Sequence, residues 1–488
     1  MAQQGHGRPI IAAKVRDHRI VAVGSTVHWL KDCETFPDFL DHYIKLKLGS
    51  EWGAAELAKP LADRHPLMQL FDAYTQYRKA NSVADGVVST ADVTGSVMCF
   101  TGLAYGLYLL DHNAELQERL VRRLKDRANF QGAFYEVAIA RVLIRAGFRL
   151  ELEDETDPAL KHCEFSATSK TGKKFWVEAK MRSITGLMGK TAMDGGSDAK
   201  PLRKLVPHLN AAFEKPAADD RLVFIDINTD DGLNGDPALA PWRIPAVDRL
   251  EEYERNELKA GESAYVFVTN LAYHRDLHCK PRGSMLPYGV GCDFNKVLPL
   301  ETLRDRYRRE QRHREAHDIV ESFQRDLTIP STFDGSLPSE TFGHRKRPLI
   351  GQRYLFEGEG HPRFVGVLEA ASVNEPKNEM NLAVRTDDGR IVMVTEPMSA
   401  DELFDYQRNR DAYFGDIDRA VNDLGNDPYV FFKWSVDSMR GAKRQKLIEW
   451  MSPHVPVAEL QTLSDEDLLL RYCEGITYGA VRDRRKAA

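Results

Sequence analysis

The sequence predicts an α/β chain built around a mixed sheet with helices against it, preceded by a helical N-terminal region and followed by a small β module plus helices. Three observations carry that expectation. Between Asn129 and Asn270 helix-like and strand-like segments alternate, the order that layers helices on a sheet. Between Arg353 and Val394 short apolar stretches are separated by turn residues, the pattern of an antiparallel module. The 488 residues, at about 150 per domain, allow roughly three domains, and 42% apolar with 29% charged residues is ordinary globular composition.

The elements follow in order. Residues 1–115 read as a hairpin and helices: Ile10–Val15 and Arg19–Val23 flank a turn at Asp17-His18. Thr35-Phe36-Pro37 opens a helix, with Thr35 as N-cap and Pro37 in the first turn. Further helices are expected near 66–80, 97–111 and 114–127. The longest uncharged run, Val93 to Leu110, carries Gly95, Gly102, Gly106, Thr94, Thr101 and Ser96, and reads as a buried helix rather than a membrane span. Residues 116–327 form the central α/β domain. It begins with helix Phe130–Ala146, ended by Gly147, and continues with strands at 148–153, 162–168 and 174–182. A helix near 201–214, strand Leu222–Asn228, a helix near 246–259, strand Ala264–Asn270 and a charged helix Glu301–Asp318 complete it.

Residues 328–348, rich in Pro, Ser, Gly and Thr, read as a linker. Residues 349–398 form the β module, with strands at Arg353–Phe356, Phe364–Leu368, Met380–Val384 and Ile391–Val394 and a hairpin turn at Asp387-Asp388-Gly389. Residues 399–488 read as helical.

Composition excludes several function classes. With 67 Lys+Arg against 73 Asp+Glu the net charge is −6, so any grip on nucleic acid must come from a local patch. Six dispersed cysteines form no C-x-x-C pair, which argues against a disulfide framework or structural zinc and for a reducing compartment. With no secretory leader in view, a cytoplasmic location without membrane attachment is expected.

The chemistry concentrates in one segment, His162 to Lys180. A three-residue loop, Lys170-Thr171-Gly172, places Gly172 where such a hairpin wants a left-handed residue. That register pairs Thr168 with Lys174, Ser166 with Trp176, Glu164 with Glu178 and His162 with Lys180. The alternate positions pair Ala167 with Phe175, Phe165 with Val177 and Cys163 with Ala179, so one face is wholly apolar, as a core requires. On the other face Glu164 and Glu178 stand opposite one another, which is destabilising. A divalent cation would remove the penalty, and Mg²⁺ suits carboxylates that leave it several waters. Lys180 lies on the same face, within reach of a metal-bound water or a scissile phosphate. The bland alternative is a solvated face on which Glu164 pairs diagonally with Lys180. Upstream, the apolar helix Phe130–Ala146 contains Glu136, a carboxylate that needs a cation or a polar cleft.

These residues resemble the PD-(D/E)XK phosphodiesterase superfamily, the restriction-endonuclease-like nucleases, over roughly residues 129–270. The resemblance implies an αβββαβ core with an acidic residue on the second core strand and (D/E)-x-K on the third. Glu178-Ala179-Lys180 matches (D/E)-x-K, and Glu136 matches a frequent helical glutamate. Glu164 stands where the family usually has Asp, and Cys163 where it usually has Pro. By resemblance, Glu164, Glu178 and the Ala179 carbonyl would hold Mg²⁺, or Mn²⁺ in its place, with Glu136 in support. Lys180 would orient and polarise the attacking water.

Other signals weigh less. Gly186-Leu187-Met188-Gly189-Lys190-Thr191 is P-loop-like but has Ile184 where the first glycine belongs, so a mobile loop beside the site is the better reading. The pairs His274/His278 and His313/His317 lack the glutamate of zinc proteases and read as surface or satisfied histidines. Basic clusters at Arg119–Arg127, Arg304–Arg314 and Arg440–Lys446 are interleaved with acids and read as solvated faces. Arg345-Lys346-Arg347 is the chosen phosphate-contacting patch, with Arg182 as a second candidate and Trp176 placed to stack a base. The expected function is a metal-dependent nuclease acting on DNA rather than RNA. The competing class is an inactive nuclease-like scaffold that binds nucleic acid or protein. A homodimer or protein partner held through the flanking modules stays open.

Overall fold

In the computed structural model the chain is described over residues 5–84, 87–114, 118–152, 164–190, 196–215, 219–230, 236–296, 298, 300–324, 328–343, 345–358, 361–410, 413–415 and 427–487. It divides into two compact units, Met1–Lys296 with Arg314–Phe342, and Val297–His313 with Gly343–Ala488. Composition suggested other boundaries. The N-terminal region shares one apolar core with the central sheet, and the expected linker is split between the units. The charged stretch 301–318 is two helices, Leu303–Arg312 and Arg314–Gln324, one in each unit.

The first unit opens with a three-stranded antiparallel sheet, β1 (Ile11–Val15), β2 (His18–Val23) and β3 (Thr26–Lys31), one strand more than the expected hairpin. Helix α1 (Phe36–Leu48) starts at a capping box in which Thr35 and Asp38 satisfy each other's backbone N–H, with Pro37 in the first turn. Helices α2 (Ser50–Leu57), α3 (Pro66–Asn81), α4 (Gly95–Asn113), α5 (Glu118–Lys125) and α6 (Phe130–Ala146) follow.

The glycines of α4 have a steric cause. A Cβ on Gly106 would lie 2.5 Å from Val137 Cγ1, and one on Gly102 would lie 2.9 Å from Arg141 Nη1, so α4 and α6 touch nearly backbone to backbone. α4 is therefore a core helix. Among the described residues no helix is long and apolar enough to cross a membrane.

The sheet that carries the candidate site has the order β4 (Arg149–Leu152), β5 (Phe165–Thr168), β6 (Lys174–Met181), β7 (Asp220–Asp226), β8 (Ala264–Asn270), β9 (Ser284–Val290). β4, β5 and β6 are antiparallel neighbours, β6, β7 and β8 run parallel, and β9 returns antiparallel. The parallel steps require crossovers, supplied by α7 (Leu205–Phe213) and α8 (Arg243–Asn256). Alternate residues divide the sheet between two cores. Phe165, Ala167, Phe175, Val177, Ala179 and Phe224 face α4 and α6. Val223, Ile225, Val266 and Val268 face α7 and α8 with Leu205, Leu209 and Leu250. The result is a sheet between two helical layers, a mixed α/β architecture as expected. β9 was not legible in the sequence because Pro287 interrupts it; at a sheet edge, a proline costs no pairing on its free side.

In the second unit β10 (Arg353–Gly358), β11 (His361–Asn374), β12 (Glu379–Thr386) and β13 (Ile391–Pro397) form an antiparallel meander in sequence order. Its helices include Ala400–Arg408, Pro428–Met439, Arg444–Met451 and Asp465–Ala487.

Candidate active site

The hairpin that sets the site has the expected register. Phe165 faces Val177, Ser166 faces Trp176, Ala167 faces Phe175 and Thr168 faces Lys174. Gly172 takes φ +87° and donates to Ser169 O at 3.0 Å, while Ser169 N donates to Lys173 O at 2.8 Å. The paired ladder stops at Phe165 and Val177; Glu164, just before β5, donates its N–H to Val177 O at 3.0 Å, one residue off the register that would set it opposite Glu178. His162 and Cys163 lie outside the described residues.

The side chains of Glu164, Glu178 and Lys180 nonetheless meet. Lys180 Nζ donates to Glu164 Oε1 at 2.5 Å and lies 2.9 Å from Glu178 Oε1. The face is not a solvated one: Glu178 is 2% exposed, and its sheet neighbours Val223 and Ile225 pack under α7. Ala179 separates Glu178 from Lys180, its methyl buried on the apolar side. The penalty expected for opposed carboxylates is removed here by lysines. Lys215, just past α7, donates to both oxygens of Glu178 at 2.8 and 2.7 Å, so each carboxylate has an ammonium partner without any dication.

Glu136 points from α6 toward the same cluster, and its cation is Arg123 of α5. The guanidinium nitrogens Nη1 and Nη2 each donate to one Glu136 oxygen at 2.6 Å. A carboxylate held in such a fork has both oxygens committed, so Glu136 supports the site through Arg123 and is not a metal ligand in this arrangement.

The electrostatics follow from burial and neighbours. Burial, then the charge of Glu164, pushes the Glu136 carboxyl up to about 7, and Arg123 only partly offsets them. Burial also pushes Glu164 up, but Lys180, Lys215 and Arg123 together outweigh it, and its carboxyl sits below the ordinary value. Burial disfavours the Lys180 ammonium, yet Glu164 and then Glu178 hold it charged, well above the ordinary lysine range. His208 on α7 is pushed down to about 4 by burial, then by Lys180 and Lys204, and is neutral at pH 7.

The donor set suits a divalent cation in one respect. Glu164 Oε1 and Glu178 Oε1 both lie within 2.9 Å of a single nitrogen, so two carboxylates converge on one small cationic volume. Mg²⁺ commonly takes one or two carboxylates and keeps its waters. Among the described residues no three of His, Cys, Asp or Glu stand close enough to hold a metal, so water would complete the shell.

The other nominated residues are placed elsewhere. Arg182 turns inward, 4% exposed, donating to the carbonyls of Ile227 at 2.5 Å, Asn228 at 2.8 Å and Ser197 at 3.2 Å, and to Asp198 at 2.9 Å. It locks the loops at the ends of β6 and β7 and is not a phosphate contact. Trp176 shares the face of Glu178, half-buried, with Lys174 Nζ 4.9 Å from its ring centroid. Arg345 is spent on Glu396, Glu402 and the Pro397 carbonyl, and Arg347 donates to Tyr413 O at 3.2 Å, which leaves Lys346 as the exposed member of that patch. In the P-loop-like segment Lys190 Nζ donates to Ala128 O at 2.5 Å, and Thr191 lies outside the described residues. His274 is half-buried, with Nε2 bonded to Asn228 Oδ1 at 3.1 Å and Nδ1 without a partner among the described residues, so it is only partly satisfied.

Sequence reasoning missed Arg123, Lys215 and His208. Arg123 lay inside a cluster read as a solvated face, although its position thirteen residues before Glu136 was a usable signal. Compared with known protein families, characterised proteins and solved structures, the chain has no match in any of the three.

Proposed function

We propose that the chain is a divalent-metal-dependent phosphodiesterase that cleaves nucleic acid, with DNA as the expected substrate. The observation that carries this reading is the convergence of the Glu164 carboxylate and the buried Glu178 carboxylate on Lys180. The succession α6, β4, β5, β6, α7, β7 supports it, because a helix, three strands, a helix and a strand is the restriction-endonuclease-like order, with Glu164 just before the second strand and Glu178-Ala179-Lys180 on the third.

Hydrolysis adds water across a phosphodiester, breaking one P–O bond to leave a phosphomonoester and a hydroxyl. A bound dication supplies a nucleophilic water at neutral pH and charge neutralisation. Glu164 and Glu178 would hold it. Lys180, charged at all physiological pH values, donates hydrogen bonds and orients the water and the phosphoryl oxygen; it does not serve as a base. Arg123 keeps Glu136 ordered behind the cluster.

Purified protein is expected to nick plasmid with Mg²⁺ or Mn²⁺, to stop with chelator, and to lose activity in Glu178→Ala and Lys180→Ala. A second reading, an inactive scaffold that binds nucleic acid or a protein, is favoured by one observation. Glu164, Glu178 and Glu136 are held by Lys180, Lys215 and Arg123, so every carboxyl of the cluster has a cationic partner without a metal. Intact plasmid with persistent mobility-shift binding would decide for the scaffold.

A further inference from the structure

The Glu178 side chain is 3% exposed and meets two ammonium groups. Lys180 reaches one of its oxygens from the same strand, whereas Lys215 takes both, at 2.8 and 2.7 Å. Lys215 is anchored as well: its carbonyl accepts from Arg221 Nη2 at 3.1 Å, and its side chain is 14% exposed. An ammonium so placed needs an anion beside it in every state of the protein. It also repels any second cation at Glu178, because like charges in a poorly hydrated site interact strongly.

Resting on the phosphodiesterase reading above, we infer that Lys215 is an internal competitor for the dication's place, and that the nucleic-acid phosphate is the anion that receives Lys215 when the dication is bound. Without nucleic acid, a dication between Glu164 Oε1 and Glu178 Oε1 takes the place of Lys180 Nζ and draws from Lys215 the oxygen they share, leaving that ammonium under-paired in a part-buried position. With a phosphodiester present the released ammonium is paired again. Metal and nucleic acid therefore bind cooperatively, and each raises the affinity of the other by the same factor. A compact ammonium on a flexible stem suits exchange between two anions, as the bidentate fork of Arg123 on Glu136 does not. Lys215 is thus a positioning residue that keeps the site closed to metal until substrate arrives.

The experiment is Mn²⁺ binding to the full chain, read by electron paramagnetic resonance, with and without a duplex oligonucleotide whose phosphorothioate linkages resist cleavage. Wild type is expected to bind Mn²⁺ about tenfold tighter with the oligonucleotide, the scale of one charged hydrogen-bonded pair. Lys215→Met is expected to bind it about tenfold tighter than wild type without oligonucleotide, and to gain nothing when it is added. Lys215→Arg restores weak binding without oligonucleotide. Lys215→Gln provides the same comparison if methionine unfolds the chain. Equal Mn²⁺ affinity in wild type and both neutral variants overturns the role of Lys215 and leaves the metal site standing. No Mn²⁺ bound by any of them, with or without oligonucleotide, overturns the phosphodiesterase reading itself.

Discussion

Replacing Glu136 with glutamine should remove a pH dependence from the unfolding of the unit that holds it. The wild-type residue is 7% exposed. Burial and the nearby charge of Glu164 lift its carboxyl from 4.5 to about 7 against the pull of Arg123. Below the unfolded value both states hold the proton, and the group contributes nothing. Between the two values the folded state keeps a proton that the unfolded chain has lost, so stability falls as pH rises. Above about 7 the loss is complete. The gap is worth about 3 kcal/mol, a shift of roughly 5 °C in the Tm of a unit this large.

His65 and His208 act in the opposite sense. Each is pushed down to about 4, by burial first, so stability falls as pH drops through the range where the unfolded histidines take up protons. Both are common to the two proteins and cancel in the difference between them. Calorimetry at pH 5 and pH 8 without added metal measures that difference. Glu136→Gln should gain about 5 °C on wild type between the two. A difference that is the same at both pH values refutes a buried carboxyl coupled to Glu164.

Two further outcomes test the frame around the site. Arg182→Met leaves the Ile227 and Ser197 carbonyls without their donor, and Asn228 O and Asp198 to Arg275 alone; it should cost about 3 kcal/mol in thermal melts while DNA affinity in mobility shifts is unchanged. Gly172→Ala meets nothing within 4 Å, so its cost is the φ of +87° alone, about 1 kcal/mol of stability, with nicking per folded molecule retained.

What the sequence could reveal was set by the range of the interactions involved. The register of β5 against β6 depends on a loop of three residues and one glycine, all local, and the pairs from Phe165 with Val177 to Thr168 with Lys174 are the expected ones, whereas Glu164 bonds Val177 O and falls one residue off the pairing with Glu178. The partners of those carboxylates are not local. Lys215 lies thirty-seven residues from Glu178 beyond a helix, and no periodicity relates them. Arg182 reads as an extension of the active face because alternation continues past Lys180, yet β6 ends at Met181 and the next side chain turns into the loop carbonyls. Composition also concealed the shared core. Phe36 and Tyr108 stack edge to face at 5.2 Å within the cluster that holds Phe165 and Val177, so no boundary exists where residue types change.

The cluster contains two kinds of cation, and the difference bears on what it is for. Burying ion pairs seldom stabilises a fold more than apolar side chains of similar volume would, so two buried carboxylates and a half-buried one, each with a cationic partner, are poorly explained as a device for stability alone. Arg123 holds Glu136 through a planar fork with two equal bonds of 2.6 Å, an arrangement that loses both bonds if either group moves. Lys180 and Lys215 share Glu178 through single nitrogens at the ends of flexible chains, and Lys180 divides its contacts between two carboxylates. One half of the cluster is therefore fixed, and the other half can exchange partners without moving the backbone. Exchange at Glu178 is what a site that must admit a cation and a phosphate requires; a purely structural cluster would gain more from a guanidinium at both positions.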